Sequence, residues 1–396
     1  TDVYFVDGMR TPFGRAGEKG MYWNTRADDL VVKAMIGIMD RNPDVPKDRV
    51  DDVAIAATTQ QGDQGLTLGR TGAILAGLPQ TVPGFAIDRM CAGAMTSVTT
   101  MAGSIGFGMY DIALAGGVEH MGRHPLGGNA DPNPRFLTEK LVSADALNMG
   151  ITAERIHDRF PHLTRERADR FGMLSQNKAQ AAYDAGKIQP DLVRVAVKDA
   201  TGAWGLATED EGRRPETTME GLATLKTPFR PHGRVTAGTA SPLTDGATMS
   251  LLASGTAVTE LGLRPKMKMV SFAFAGVEPE IMGIGPIPST EKALKKAGLT
   301  INDIGLFELN EAFAIQVISL LDHFGIADDD PRVNQWGGAI ALGHPLAASG
   351  VRLMIQLAAQ FEERPDVRYG RTAMCVGLGQ GGSVIWENPF YNGKKK

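Results

Sequence analysis

Residues 91–117, CAGAMTSVTTMAGSIGFGMYDIALAGG, and residues 346–382, LAASGVRLMIQLAAQFEERPDVRYGRTAMCVGLGQGG, follow one plan despite weak sequence identity. Each predicts a helix rich in small residues, a polar turn, an apolar strand and paired glycines. Segments 33–60 and 292–312 share a second plan, in which a helix and a break precede an apolar strand. Alternating strands and helices favour an α/β protein with a largely parallel core. The repetition predicts two duplicated β-α-β halves packed as a layered sandwich, with the site between them.

The sequence changes character at residues 120–245, between the two halves. A loop-like stretch comes first, and residues 152–186 then form a charged amphipathic helical region. We therefore predict an N-terminal half (1–119 plus 246–266), an inserted loop domain (120–245) and a C-terminal half (267–396).

Composition limits the possible function classes. The chain has 396 residues and a formal net charge of −4, so it lacks the overall basic field expected of a nucleic-acid-binding protein. Its apolar runs are shorter than the roughly 18 residues of a membrane span. Two cysteines cannot form a disulfide framework, which favours a reducing cytoplasm. The terminal run Lys394 to Lys396 predicts a solvated tail.

The C-terminal loop AMCVGLGQGG contains the spacing G-x-G-x-x-G at Gly377, Gly379 and Gly382. A dinucleotide site needs a helix directly after such a loop, with an acidic residue about 20 positions on. Here another predicted strand and the last residues of the sequence follow. The glycines more readily allow the backbone beside Cys375 to approach a ligand and to point N–H groups at it.

Cys91, His344 and the pair Asn310 and Glu311 can be combined into one candidate site. Cys91 lies where a predicted strand meets a helix, whose positive end is expected to lower the thiol pKa. His344 lies in the glycine-flanked turn GGAIALGHP, and Asn310 and Glu311 follow an apolar strand in ELNEAFA. Taken singly, each has an ordinary structural alternative: a buried cysteine, a core histidine or a helix cap. Together they provide a nucleophile, a base and an amide donor, as covalent acyl transfer requires.

The chain resembles the thiolase family along nearly its whole length. The matching motifs, in family order, are VDGMRTPFGR, the Cys91 helix, ALAGGVEHMG, VTAGTASPLTDGA, NEAFA, GGAIALGHP and CVGLGQGG. The resemblance implies a five-layered α-β-α-β-α sandwich. It also implies cleavage of a 3-ketoacyl-CoA by CoA, giving acetyl-CoA and an acyl-CoA that is two carbons shorter.

The resemblance implies a role for each residue of the site. Cys91 would be the nucleophile, and Cys375 would protonate the enolate and later deprotonate CoA. His344 would keep Cys91 ionised and donate to the thioester oxygen, with a water held by Asn310. The N–H groups of Cys91 and Gly377 would form a second oxyanion site.

Contacts to CoA follow from the same motif matches. The matched positions are Arg214, Phe229, Ala237, Ser241, Met149, Ala312 and Phe313. CoA would be a co-substrate, and we expect neither a metal site nor a permanently bound cofactor.

Two departures indicate the type of thiolase. Asn148 stands where the short-chain biosynthetic type has His, and EHM replaces its ESM. RPETTMEGLATL and GIGPIP instead resemble the thiolase subunit of bacterial fatty-acid β-oxidation complexes. That similarity implies a cytoplasmic homodimer that joins a hydratase/dehydrogenase chain as α2β2, with at most peripheral membrane contact. A biosynthetic acetyl-CoA acetyltransferase, a non-catalytic acyl-CoA or lipid-binding relative and a ketosynthase are the alternatives.

Overall fold

A computed structural model describes residues 1–393, so the lysine tail predicted to be solvated lies outside the described residues. The strands are β1 (Val3–Arg10), β2 (Gly14–Arg15), β3 (Asp52–Ala56), β4 (Phe85–Ile87), β5 (Ile112–His120), β6 (Val195–Lys198), β7 (Trp204–Ala207), β8 (Thr244–Ser254), β9 (Met267–Gly276), β10 (Ile304–Leu309), β11 (Tyr369–Val376) and β12 (Gln380–Glu387). The helices are α1 (Ala27–Arg41), α2 (Leu68–Leu75), α3 (Gly93–Gly106), α4 (Arg135–Thr138), α5 (Met149–Arg159), α6 (Arg165–Asp184), α7 (Met219–Ala223), α8 (Gly255–Glu260), α9 (Pro286–Ala297), α10 (Ala314–His323), α11 (Ala339–Leu342) and α12 (Ser349–Glu363).

The strand order shows the duplication directly. The N-terminal half runs β1-β8-β5-β3-β4 and the C-terminal half runs β9-β12-β11-β10. Counted from the strands where the halves meet, the first two pairs of each half are antiparallel and the later ones are parallel. In the C-terminal half, Val333 forms an isolated bridge to β10 at the place where β4 pairs with β3 in the N-terminal half. A short antiparallel pairing of Tyr4 and Phe5 with Lys268 and Met267 joins the halves. The predicted repeat of a β-α-β unit is confirmed. The expectation of a largely parallel core is wrong, because the long pairs of β8 with β1 and β5, and of β12 with β9 and β11, are antiparallel.

Three apolar cores separate the layers. The first lies between α1 and α2 and the outer face of the N-terminal half. The second surrounds α3 and α12 and takes side chains from strands of both halves, so these helices lie between them. The third lies between the C-terminal half and helices α9 and α10. The order helix, sheet, helix, sheet, helix is the five-layered sandwich that the resemblance implied.

Small residues let α3 and α12 approach closely. A Cβ atom at Gly350 would lie 2.6 Å from the backbone nitrogen of Met95, and one at Gly93 would lie 2.9 Å from the Cβ of Ala347. Both distances are too short for a larger side chain unless a helix moves. The N-terminal ends of the two central helices are thereby held together.

Residues 121–243 contribute no strand to the main sheet. They form α4 to α7 and the β6-β7 hairpin, and the predicted charged helical region is α5 and α6. A buried ion pair ties this segment to β1, because Arg10 donates to both carboxylate oxygens of Asp210 at 2.6 and 2.8 Å. The domain boundaries assigned from sequence stay a prediction.

The glycine loop is a hairpin turn between β11 and β12. Leu378 and Gly379 have φ values of 62° and 79°, so the turn uses left-handed backbone. The strand predicted after the loop is β12. Of the helices within residues 1–393, none combines the length and apolarity needed to cross a membrane.

The helix contact gives the first testable prediction. Gly350→Ala should lower the free energy of unfolding by about 1–3 kcal/mol, because the new methyl group overpacks the α3–α12 contact. Gly103→Ala is the matched control, since a Cβ there meets nothing within 4 Å. The control should be neutral or stabilising by up to about 1 kcal/mol. Urea unfolding of both variants measures the difference, and equal effects would contradict the packing argument.

Candidate active site

Cys91 lies in a strained turn between β4 and α3. The turn, Met90–Ala92, is a single 3₁₀ turn, so α3 begins two residues after the cysteine instead of at it. Met90 has φ 45°, which side-chain-bearing residues rarely adopt, and its N–H donates to Asp88 Oδ1 at 2.6 Å. Strained backbone of this kind is often found where a functional side chain must be aimed.

Contacts to its backbone N–H and to its ring nitrogens hold His344 in place. Its N–H donates to Thr244 Oγ1 at 3.0 Å, and Nδ1 lies 2.5 Å from Ser349 Oγ. Asn310 Nδ2 lies 3.4 Å from each ring nitrogen. Gly343, with φ 107°, provides the turn before the histidine. The imidazole is buried and has a fixed orientation.

The remaining candidate catalytic residues meet Cys91 from β11 and the turn after it. The N–H of Gly377 lies close enough to the Cys91 thiol to lower its pKa, and Cys375 is close enough to interact with Cys91 electrostatically. Asn310 follows β10, and its N–H donates to Ala373 O at 2.9 Å. Cys91, Gly377 and Cys375 thus form one group and His344 and Asn310 another, and all five residues are buried.

Burial controls the protonation of this site. It raises the pKa of Cys91 to about 12, and the hydrogen bond from Gly377 opposes this only in part. Burial also raises the pKa of Cys375. For His344, burial together with the positive charge of Arg352 lowers the pKa to about 3. In the ligand-free chain burial thus opposes the ionised Cys91 expected from the sequence and favours a neutral imidazole at His344.

Two supporting residues were missed by the sequence analysis. Ser349 reaches Nδ1 of His344 from the first turn of α12. Glu119 accepts hydrogen bonds from Thr58 N, at 3.0 Å, and Ala347 N, at 3.3 Å, and so ties the histidine turn to the N-terminal half. The sequence signal that could have identified Ser349 and Glu119 is a polar residue beside a run of apolar or small residues.

A cavity of about 440 Å³ leads to the histidine turn. Arg214 and Ala237 line it, as do Gly343 and Thr244 next to His344. Arg214 donates its backbone N–H to Gln176 Oε1 at 2.7 Å, while its side chain is exposed.

The other predicted CoA contacts adjoin this cavity without lining it. The Phe229 and Phe313 rings meet edge to face at 6.2 Å, and Ser241 N donates to Ala312 O at 2.9 Å. Met149 lies near Gly377, because its sulfur is 3.7 Å from the position that a Cβ atom added to Gly377 would occupy. Of the seven residues, Arg214 and Ala237 line the cavity, Ser241 lies between its lining residues Ala240 and Pro242, and Met149 lies near Gly377.

Comparisons with known proteins agree with this geometry. The family description "Thiolase, N-terminal domain" matches residues 3–256, and "Thiolase, C-terminal domain" matches residues 263–388. The chain belongs to the thiolase family. The match confirms the resemblance seen in the motifs.

Individual relatives carry a more specific name. A 3-ketoacyl-CoA thiolase of Saccharophagus degradans is 43% identical over 98% of each chain. The protein of the same name from Klebsiella pneumoniae is 40% identical and covers 97% of this thiolase and 99% of its own length. The crystal structure of human mitochondrial 3-ketoacyl-CoA thiolase superposes with a TM-score of 0.87 at 31% identity, covering 98% and 99% of the two chains. The expected thiolase fold is confirmed.

The protonation state can be tested by alkylation. In a Cys375→Ser variant of this thiolase, iodoacetamide should modify Cys91 slowly at pH 7, with a rate that rises about tenfold per pH unit to pH 9 or beyond, because only the thiolate reacts. Mass spectrometry of the modified peptide measures the rate. A plateau below pH 7 would instead indicate a thiolate stabilised in the free enzyme.

Proposed function

We propose that this thiolase is a 3-ketoacyl-CoA thiolase of fatty-acid β-oxidation, an acetyl-CoA C-acyltransferase. The observation that carries the proposal is the grouping of Cys91 with Gly377 and Cys375, and of His344 with Asn310, where a cavity reaches Gly343 in the histidine turn. The names of its relatives support the substrate class.

The first half of the reaction forms an acyl-enzyme. The sulfur of Cys91 attacks the ketone carbonyl while its proton passes to the neutral imidazole of His344, so that no free thiolate has to accumulate. The bond between Cα and Cβ then breaks. The acyl group stays on Cys91, and Cys375 gives its proton to the acetyl-CoA enolate.

The second half of the reaction releases the shortened chain. Cys375, now a thiolate, takes the proton of incoming CoA, and the CoA sulfur attacks the acyl-cysteine. Cys91 leaves and regains its proton from His344. The N–H of Gly377, which points at the Cys91 sulfur, is well placed to donate to an acyl oxygen bound there.

The hydrogen bond at Nδ1 of His344 fits this scheme. For Nε2 to accept the thiol proton, Nδ1 must carry a hydrogen, and Ser349 Oγ is the acceptor at 2.5 Å. CoA acts as co-substrate and would occupy the cavity lined by Arg214 and Ala237. The proposed chemistry requires neither a resident cofactor nor a metal.

The proposal extends to the oligomeric state, the partner chain and the cellular location of this thiolase. We propose a cytoplasmic homodimer that assembles with a hydratase/dehydrogenase chain as α2β2, with at most peripheral contact with a membrane. The free edge of β4 supports the homodimer, because β4 pairs with β3 alone among the strands of residues 1–393. Ile74 and Leu75 of the neighbouring α2 are about half exposed and extend this apolar surface.

A chain-length series tests the function. Thiolysis of 3-ketoacyl-CoA from four to sixteen carbons should rise with chain length, and Cys91→Ala should lower kcat by about 10⁴-fold or more because the nucleophile is lost. Thermal unfolding checks that the variant is folded. Activity confined to acetoacetyl-CoA would favour a biosynthetic acetyltransferase. No turnover at any length, with and without the hydratase/dehydrogenase partner, would favour a binding protein.

A second experiment tests the CoA site. Arg214→Ala should raise the KM for CoA by about fivefold, since one exposed charge-assisted contact contributes roughly 1 kcal/mol. Arg264→Ala is the control, because Arg264 is exposed and is not among the residues that line the cavity. The control should leave both KM and thermal stability nearly unchanged. An unchanged KM in Arg214→Ala would remove this residue from the site.

A further inference from the structure

Arg352 is a charged residue on α12, one of the two helices that lie between the halves. Its side chain is fully buried in α12, one turn after Ser349. Nη1 donates to Gln356 Oε1 at 2.6 Å, and Nη2 donates to Asn310 Oδ1 at 3.2 Å. The carboxylate of Glu308, also fully buried, lies 3.7 Å from Nη1. The guanidinium thus connects α12 to the strand that ends at Asn310.

The contact with Asn310 determines which way its amide points. A guanidinium has only donors, so the atom of Asn310 that faces it must be the oxygen. The Nδ2 group must then face the other way, where it lies 3.4 Å from both ring nitrogens of His344. Without Arg352, the opposite amide orientation would present an acceptor to the site instead of donors.

The guanidinium also increases the donor strength of that amide. A hydrogen bond from a charged group to Oδ1 withdraws electrons from the amide and makes its N–H groups better donors, because hydrogen bonds in a chain polarise one another. Nε of Arg352 has no hydrogen-bond partner among the described residues. An apolar side chain would avoid this desolvation, so packing alone does not account for an arginine here.

We propose that Arg352 is a positioning residue that fixes and polarises the Asn310 amide so that its N–H groups face the reacting carbonyl oxygen. The inference rests on the proposed function and on the role that the resemblance implies for Asn310, whose amide N–H groups would hold the water that donates to the reacting carbonyl oxygen. Arg352 is fully buried and is not among the residues that line the cavity. Its effect on the reaction passes through Asn310, and this makes the inference testable by coupling between the two residues.

A double-mutant cycle tests the coupling. Arg352→Met should lower kcat of thiolysis about 10- to 100-fold, somewhat less than the loss of a direct oxyanion donor, and leave the KM for CoA within twofold. In an Asn310→Ala background the same substitution should lower kcat by less than about threefold, because the amide that it orients is gone. Equal losses in both backgrounds would overturn the inference.

Arg371→Met is the matched control for burial. Arg371 is the other fully buried arginine of the C-terminal half, and it donates to Thr290 Oγ1 at 2.8 Å, away from the site. It should lower the unfolding temperature with less than about a threefold change in kcat. An equal loss of kcat in Arg371→Met would mean that burial, not positioning, explains the effect.

The cycle can also be run with a milder substitution, and its failure can be separated from failure of the proposed function. If Arg352→Met does not fold, Arg352→Lys keeps the charge and one donor, and the same comparison in the Asn310→Ala background applies. A wild-type chain without thiolase activity would overturn the proposed function. An active wild type with uncoupled residues 310 and 352 would overturn only the role of Arg352.

Discussion

The contact between the N-terminal ends of α3 and α12 is the constraint on which the site depends. The nucleophile precedes one helix and the base precedes the other, so the two groups meet only if the helices nearly touch. Gly350 against Met95 and Gly93 against Ala347 permit that approach. Because each helix belongs to a different half, the duplicated architecture and the chemistry are set by the same few small residues.

Placing the site between the halves removes it from water, and this determines its electrostatics. Burial opposes a charge on Cys91, on Cys375 and on His344 alike. Charge must therefore be created during the reaction and stabilised where it forms, by fixed donors such as the N–H of Gly377. A preformed ion pair between cysteine and histidine would have to overcome the desolvation of both groups.

Much of the fold and of the site could be predicted from the sequence, for identifiable reasons. The alternation of strands and helices is a local pattern, and its repetition showed the two halves. Cys91 and Cys375 could be singled out because the chain has only two cysteines, and His344 and Asn310 because short motifs surround them. For Cys91, the effect of a helix end could be inferred from sequence because it is local, whereas the burial that opposes ionisation comes from packing of distant segments of both halves.

The supporting residues were missed for a related reason, which α12 illustrates. Ser349, Arg352, Gln356 and Gln360 recur at spacings of three and four, a pattern that on most helices marks the solvent face. Here all four are buried. The stripe they form contacts the histidine turn, the strand that ends at Asn310 and the loop before α11.

The equivalent helix of the first half has no such stripe, although it has polar residues. On α3, Thr96 and Ser97 return their hydroxyl groups to the helix backbone, to Ala92 O and Gly93 O. That hydrogen bonding satisfies the hydroxyl groups within the helix, and Thr96 Oγ1 also accepts from Nε of Arg89, just before the Cys91 turn, at 3.0 Å. The duplicated halves have therefore diverged in role: the first presents the nucleophile on a helix of small residues, and the second supplies the buried polar groups that hold the base and the amide donor in place.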